Sequence, residues 1–390
     1  MAANVIVIGA GVYGAAVAAS LARRGARVVV VEAGLPAHGT SGATFSWTNA
    51  SAKPAGPYRD LNVAGLAAHR RLAAGAAGAA GATGADWYHG SGNLQWAAAG
   101  DDEARQTLRA KVTGLLDDGY DVRWLSRSEA ADIEPGIDPA GLPADEIAFF
   151  PHEGWVAPER LISYLLSVAA AHGAELLTGD GVAALETSAD QVNAVRMASG
   201  RTLAAAAVVN CAGPRASVIA ELVGLDLPMR NTCGLLVRVS AVAPPVSRVV
   251  HAPRVHLRPD GAGGLLMHSP ALDEAVRTSD SGPVVADDTA VGRLLEAGRA
   301  LCPAARNAAV DGIRIGERPI PGDGLPVLGR AADLPNFHFA VSHSGVTLCL
   351  HAGGLVADEV LGLDRDEALA PFRFERFRAA PGPAVGAIPS

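Results

Sequence analysis

Apolar and polar positions follow two regimes along this chain. Val5-Ile6-Val7-Ile8 and the segment from Arg27 to Val31 are nearly unbroken apolar runs, the pattern of strands buried on both faces. Between them, Gly9-Ala10-Gly11-Val12-Tyr13-Gly14 turns into a helix of small residues that reaches Arg24. Helical spacing returns over Asp60 to Ala74, Gln106 to Asp118 and Pro158 to Ala171, the last opened by a proline and closed by Gly173. Ser126, with Glu129 three residues later, predicts a capped helix to Ile133. Short runs at 175–177, 182–186, 192–197 and 203–210 predict a β-meander whose final strand re-enters the core at Ala206 to Val209. Residues 229–270 carry further β-like runs, 289–301 read as a helix, Phe337 to Val341 as a strand and Thr347 to Leu361 as a helix. Gly75 to Gly81 is a low-complexity piece expected to be mobile, and the Pro/Ala/Gly-rich tail from Ala379 to Ser390 is expected to be disordered.

The first strand–turn–helix–strand unit carries chemistry as well as pattern. Gly9 permits the tight turn, Gly11 lets the backbone approach a pyrophosphate, and Gly14 lets helix and strand pack closely. The helix start offers free N–H groups and the positive end of its dipole to that anion. Glu32 lies 21 residues after Gly11, where a carboxylate accepts hydrogen bonds from a ribose and repels a 2′-phosphate. The unit reads as the cradle of a dinucleotide, FAD or NAD. The uncharged stretch from Asn4 to Ala22 also has the composition of a signal peptide. No lysine or arginine precedes it, however, and its glycines interrupt the helix.

Composition narrows the class. The 390 residues, 49% hydrophobic and 18% charged, suit a globular protein of two domains or one large two-part domain. A net charge of −8 and the lack of a basic stripe argue against a nucleic-acid surface. Lys53 and Lys111 are the only lysines among 32 basic residues, a skew that reads as codon bias. Cys211, Cys233, Cys302 and Cys349 are far apart and form no CxxC pair or zinc spacing. A reducing compartment, the cytoplasm, is therefore expected, without a metal site and without dithiol flavin-reductase chemistry. The Gly/Ser/Thr/Pro-rich connection over 34–57 is too long for a simple turn and is expected to be functional.

Four separated motifs then carry a resemblance. The first is the glycine fingerprint. The second is Gly39-Thr40-Ser41-Gly42 with Phe45-Ser46-Trp47-Thr48-Asn49-Ala50. The third joins Gly154-Trp155-Val156-Ala157-Pro158 to Val208-Val209-Asn210-Cys211-Ala212-Gly213-Pro214. The fourth joins the segment from Gly316 to Pro326 to Ser342-His343-Ser344-Gly345-Val346-Thr347. Together they resemble the FAD-dependent oxidoreductases of the D-amino-acid oxidase superfamily, which includes glycine and sarcosine oxidases, from Val5 to about Phe377.

The resemblance implies an α/β architecture with mixed α+β character. A discontinuous Rossmann-like FAD domain (1–85, 146–225 and 305–378) would carry an inserted antiparallel-sheet substrate domain (86–145 and 226–304), followed by the 379–390 tail. FAD would contact Gly9, Gly11, Val12, Tyr13, Gly14, Glu32 and Ala33 at the fingerprint, and Thr40, Ser41, Thr44, Phe45, Ser46 and Trp47 in the next loop. Val182, Cys211, Ala212 and Gly213 would continue the cradle, with Arg318, His343, Ser344, Gly345, Val346 and Thr347 at the flavin end. There the start of the last helix would face the flavin pyrimidine ring and stabilise negative charge. His343 is either a flavin contact or a structural imidazole. Arg318 matches an arginine that clamps a substrate carboxylate, with an ion pair to Glu317 or Asp323 as the other reading. Lys53 is a candidate cation for the O2 step. Arg254, His256 and Arg258 alternate and would share one strand face, an anion pocket or a solvated surface, and His268 is similarly open.

The chain departs from the pattern in two places. Its five tyrosines all fall outside 226–300, which argues against D-amino-acid oxidase specificity proper. No cysteine lies near Pro319 to Pro321 and no histidine lies within Gly42 to Thr44, so FAD is expected to be noncovalent. No second nucleotide fingerprint exists for NAD(P)H, so the organic substrate itself would supply the hydride. The expected activity is oxidation of a small-molecule amine or amino acid to an imine by hydride transfer to flavin N5, with O2 reduced to hydrogen peroxide. The alternatives are a dehydrogenase feeding a quinone or carrier protein, a flavin-bound sensing or partner-dependent subunit, and a nicotinamide-dependent dehydrogenase. No membrane span or nucleic-acid partner is expected, and oligomeric state is left open.

Overall fold

The computed structural model describes residues 4–77, 86–240, 246–261, 263–279, 282–285 and 288–378. Five parallel strands form its centre, in the spatial order Leu334–Val341, Thr202–Asn210, Asn4–Ile8, Val28–Glu32 and Glu175–Thr178. The apolar runs are unbroken because both faces of this sheet are covered. Val5, Val7, Val28 and Val30 face one hydrophobic core, while Ile6, Ile8, Val29 and Val31 face another. The meander appears as expected: Val182–Ser188, Gln191–Met197 and Thr202–Asn210 pair antiparallel, and the last of them runs on beside Asn4–Ile8.

The parallel register sets the ligand crevice. Ile8 lies opposite Asn210, and Asn210 opposite Phe339, so these strands end level with one another. The segments 9–14, 211–214 and 342–345 therefore leave the sheet at one edge, its carboxyl end, where open α/β sheets bind ligands.

Two helices bury their sides against each other beneath that edge. The first, Val12–Ala22, packs on the closing helix, Gly345–Val360. Gly353 places its backbone against Ala16 and Val17, and Gly345 lies against the Tyr13 ring. A third helix, Pro57–Ala77, crosses the start of the closing helix so closely that a Cβ on Gly65 would sit 2.4 Å from the Thr347 carbonyl oxygen.

The second sheet has eight strands, in the order 310–318, 232–239, 264–268, 256–260, 249–251, 93–95, 147–150 and 123–125. It is antiparallel except where Val249–His251 runs parallel to Asn93–Gln95. Two expected boundaries shift in consequence. Ile147–Phe150 and Val310–Arg318, read from sequence as parts of the FAD domain, are strands of this sheet because their backbones pair with 93–95 and 232–239. A small third sheet ties the long connection to the Gly154-Trp155-Val156 motif, with Trp47 opposite Trp155.

Local signals account for the element starts. Asp101 accepts a hydrogen bond from Ala104 N at 3.0 Å and begins a helix at Asp102, earlier than its apolar spacing suggests. Ser126 and Glu129 form the expected capping box. The closing helix begins at Gly345, the start given by the Gly345-Val346-Thr347 motif, two residues before its helical spacing becomes plain at Thr347. Within the Gly75–Gly81 piece, 75–77 complete a helix, while 78–81 and the 379–390 tail lie outside the described residues. Among the described residues no helix is long and apolar enough to cross a membrane.

The Gly65 contact yields a prediction. Gly65→Ala pushes a methyl group into backbone that cannot yield, and should destabilise the protein by about 1–3 kcal/mol. Chemical denaturation checks this, and an unchanged midpoint would show that the helices are not in close contact.

Candidate active site

A groove of about 690 Å³ follows the carboxyl edge of the parallel sheet. At one end lie Glu32, Ala33 and Val182, and at the other His343, Gly345 and Val346. Glu32 is held in place by its own backbone surroundings: Oε2 accepts from Ala10 N and Oε1 from Gly34 N, both at 2.8 Å. Each carboxylate oxygen keeps a further lone pair for a sugar hydroxyl. Gly9 has φ +103°, and a Cβ there would sit 2.6 Å from the Cys211 carbonyl oxygen, so only glycine brings the two turns together. The first helix begins at Gly11 with no side-chain cap. Val12 N donates to Ser41 Oγ at 3.1 Å, which folds the Thr40-Ser41 loop over the turn.

The far end is built around the start of the closing helix, which also lacks a side-chain cap. The hydroxyls of Tyr13 and Ser342 share a hydrogen bond of 2.9 Å, as do those of Tyr58 and Ser344. Burial pushes His69 down to about 4, so it is neutral at pH 7, and its Nε2–H donates to the Val346 carbonyl at 2.8 Å. Asn49 N donates to Thr347 Oγ1 at 3.3 Å. Buried polar atoms here without a protein partner include Asn49 Oδ1, His69 Nδ1 and His343 Nδ1. The uncapped helix starts, the glycine cradle and these unpaired atoms fit a dinucleotide carrying a polar ring system.

Beyond His343 the groove leads into a small cavity of about 120 Å³ walled by Phe45, Trp47, Lys53, His256 and Arg318. His251 and His268 complete a histidine-rich side, with ring centroids 4.3 Å (His251–His256) and 5.5 Å (His256–His268) apart. Burial, reinforced by His268, pushes His256 down to about 3. His343 falls to a similar value through burial and the nearby Lys53 and Arg318 charges. His251 is pushed well below the usual range by burial and its cationic and imidazole neighbours. These rings are therefore neutral at pH 7. Among the described residues no group of three or more His, Cys, Asp or Glu is arranged to hold a metal ion.

One hydrogen-bond chain fixes the tautomer of His251. The Glu153 carboxylate is fully buried and only accepts. It takes Ser51 N at 3.1 Å, Tyr120 OH at 2.9 Å, Trp47 Nε1 at 3.0 Å and Asn93 Nδ2 at 3.2 Å. Asn93 must then turn Oδ1 to His251, whose Nδ1–H donates at 2.7 Å. The other ring nitrogen, Nε2, is left as an acceptor.

Arg318 enters the cavity from the end of Val310–Arg318, but its ion partner is neither Glu317 nor Asp323. Nη2 donates to Asp273 Oδ2 at 2.6 Å and lies 3.1 Å from His268 Nε2, while Nη1 donates to the Cys233 carbonyl at 3.2 Å. Burial raises the Asp273 carboxyl, but His268 and Arg318 outweigh it and hold it below the usual value. Glu317 instead accepts from Asn231 Nδ2 at 3.0 Å, and Asp323 pairs with Arg376 at 2.6 Å.

The expected trio of Arg254, His256 and Arg258 does not share a face. Ala252 N bonds to the Val255 carbonyl at 3.1 Å, closing a turn, so the strand begins only at His256. Arg254 sits before it and lines a separate cavity of about 680 Å³. Arg258 is a strut: its Nε donates to the Phe45 carbonyl at 2.6 Å and its guanidinium stacks 4.8 Å over Trp155. Of the three, only His256 reaches the small cavity. Sequence reading missed Glu153, Asn93, His251, Asp273, Tyr58 and His69. Glu153, next to Gly154-Trp155, offered a signal; the others are brought in by tertiary folding.

A dinucleotide groove that ends in a small, charged pocket is the architecture of a flavin-type oxidoreductase. The family described as DAO, FAD dependent oxidoreductase, matches residues 4–359, and the chain belongs to that family. Its cofactor is FAD. Glycine oxidase of Geobacillus kaustophilus is 29% identical over 379 residues, 96% of this chain and 97% of the relative. Hydrogen cyanide synthase subunit HcnC of Pseudomonas aeruginosa is 27% identical over 295 residues, 74% of this chain and 67% of the relative. The crystal structure of glycine oxidase from Geobacillus kaustophilus superposes with a TM-score of 0.80 at 27% identity, covering 96% of this chain and 98% of that one.

Glu153 supplies a second test. Glu153→Gln places an amide N–H against groups that donate, so stability should fall by about 1–3 kcal/mol. The Lys53 pKa should fall too, because the lost carboxylate charge supported the ammonium. Denaturation and a pH titration of the variant check both; no change in either would show that this carboxylate is dispensable.

Proposed function

We propose that this chain oxidises the C–N bond of a small amino acid or related amine to the imine and returns the electrons to O2 as hydrogen peroxide. The observation that supports it most is the small cavity at the flavin end of the groove, where a guanidinium faces several neutral imidazoles. Bound FAD supplies the two-electron acceptor for a hydride leaving the carbon beside nitrogen. The chain's own residues do the rest. Arg318, steadied by Asp273 and His268, receives the substrate carboxylate. His251 Nε2, fixed as an acceptor, and the neutral His256 take hydrogen bonds from the amine, while the Arg318 and Lys53 charges at the same cavity favour its neutral form. Phe45 and Trp47 exclude water.

The start of the closing helix offers N–H groups and a positive dipole end to negative charge on the ring. With product gone, the Lys53 ammonium faces the cavity and assists electron transfer to O2. FAD is noncovalent in this reading. Cys211, which lines the groove, is buried against the Gly9 turn, and burial pushes its thiol pKa up. Glycine oxidase, similar over nearly the whole chain, supports a small amino-acid substrate.

The test is anaerobic mixing of the purified holoenzyme with glycine, sarcosine and a panel of D- and L-amino acids. The visible flavin absorbance should bleach, and admitting air should restore it with one peroxide per turnover. An unbleached flavin across the panel would overturn amine oxidation, and bleaching without peroxide would overturn the O2 step. Arg318→Ala should raise KM for the acidic substrate roughly 30-fold or more, the loss expected of a buried charge pair. An unchanged KM would remove the clamp.

A further inference from the structure

The two lysines of this chain come together. Lys53, on the long connection, and Lys111, on the Asp102–Asp117 helix, line one cavity of about 1160 Å³, and Lys53 is also a wall of the small reaction cavity. Lys53 is 5% exposed. Its ammonium has three N–H donors, and among the described residues none of them meets an acceptor. It lies over the Tyr58 ring, 5.7 Å from its centroid. Lys111, by contrast, donates to Gln95 Oε1 at 2.9 Å. An ammonium that faces these cavities without a protein acceptor is left to solvent or to a ligand that supplies one.

The surrounding carboxylates do not supply it. Glu153 acts on both lysines through space, but its oxygens are taken by four other donors. Around the larger cavity, Asp101 caps its helix, Asp118 pairs with Arg59 and Asp323 pairs with Arg376. Glu103 and Asp117, also on its lining, are exposed to solvent. In the reaction cavity Arg318 already has Asp273 as counter-ion. Lys53 is thus the cation there that lacks one, and it stands where a substrate too long for about 120 Å³ would extend into the larger space.

Resting on the amine-oxidation reading, we propose that Lys53 binds a second acidic group of the substrate. The preferred substrate class is then an amine bearing two acids, an amino dicarboxylate or an N-carboxyalkyl amino acid, with one acid at Arg318 and the other at Lys53. A basic or apolar tail leaves the ammonium unsatisfied and is disfavoured. The same ammonium is free for O2 once the product has left.

Unreactive acids test the site without turnover. Acetate, succinate and glutarate are titrated into the holoenzyme at pH 7 by calorimetry. One of the diacids should bind about tenfold or more tighter than acetate, the worth of a charge-assisted hydrogen bond. Lys53→Met should reduce that preference to within about twofold while leaving acetate nearly unchanged, and Lys53→Arg should retain most of it. Equal affinities in the parent protein, a preference that survives Lys53→Met, or an equal loss for acetate and diacid would each overturn the proposal. Flavin content and unfolding midpoint show that the variant is folded. Failure of amine oxidation itself would appear differently, as a flavin that no amine bleaches whatever the acid affinities.

Discussion

The meeting of two helix starts at one edge of a parallel sheet is the constraint on which the rest of this molecule depends. The helices Val12–Ala22 and Gly345–Val360 come from opposite ends of the chain and pack side against side through small residues, with Gly353 on Ala16 and Val17 and Gly345 on Tyr13. That packing brings both uncapped first turns to one groove. One is placed for a pyrophosphate, the other for a ring that gains negative charge. Had either helix a bulkier face, the groove would lose one of its ends.

A second level of order comes from buried carboxylates outside the reaction cavity. Glu153 binds the Trp47 loop, the residue before Ala52-Lys53, Tyr120 and Asn93, and through Asn93 sets the tautomer of His251. Asp273 does the corresponding work for Arg318 and His268. Neither carboxylate needs to touch substrate. Each turns a flexible polar side chain into one of known direction, so that the cavity presents a cation, neutral acceptors and a largely buried ammonium in fixed places.

What could be read from sequence follows the reach of local physics. The glycine turn, the buried apolar runs, the meander and the capped helix at Ser126 depend on neighbours within a few residues or on periodicity, and they match the fold. The sheet boundaries at 147–150 and 310–318 depend on which distant strands accept them, which periodicity does not encode. The same limit governs the site. Arg318 and His343 sit in motifs and were visible, whereas Asp273 reaches Arg318 across 45 residues and His251 reaches Asn93 across 158. Arg254 was misplaced for a local reason, a turn at 252–255 that delays the strand by two residues. Lys53 was visible as a candidate cation and Lys111 only as part of an arginine-rich skew; only folding shows that they share a cavity.

The most direct measurement is a crystal structure of the FAD complex. The account predicts ribose hydroxyls at Glu32, the pyrophosphate on the first turn of the Val12–Ala22 helix, and the pyrimidine edge of the flavin against Gly345–Thr347 with its other face toward His256 and Arg318. A flavin ring lodged away from the closing helix, or an adenosine half bound elsewhere than Glu32 and Val182, would contradict it.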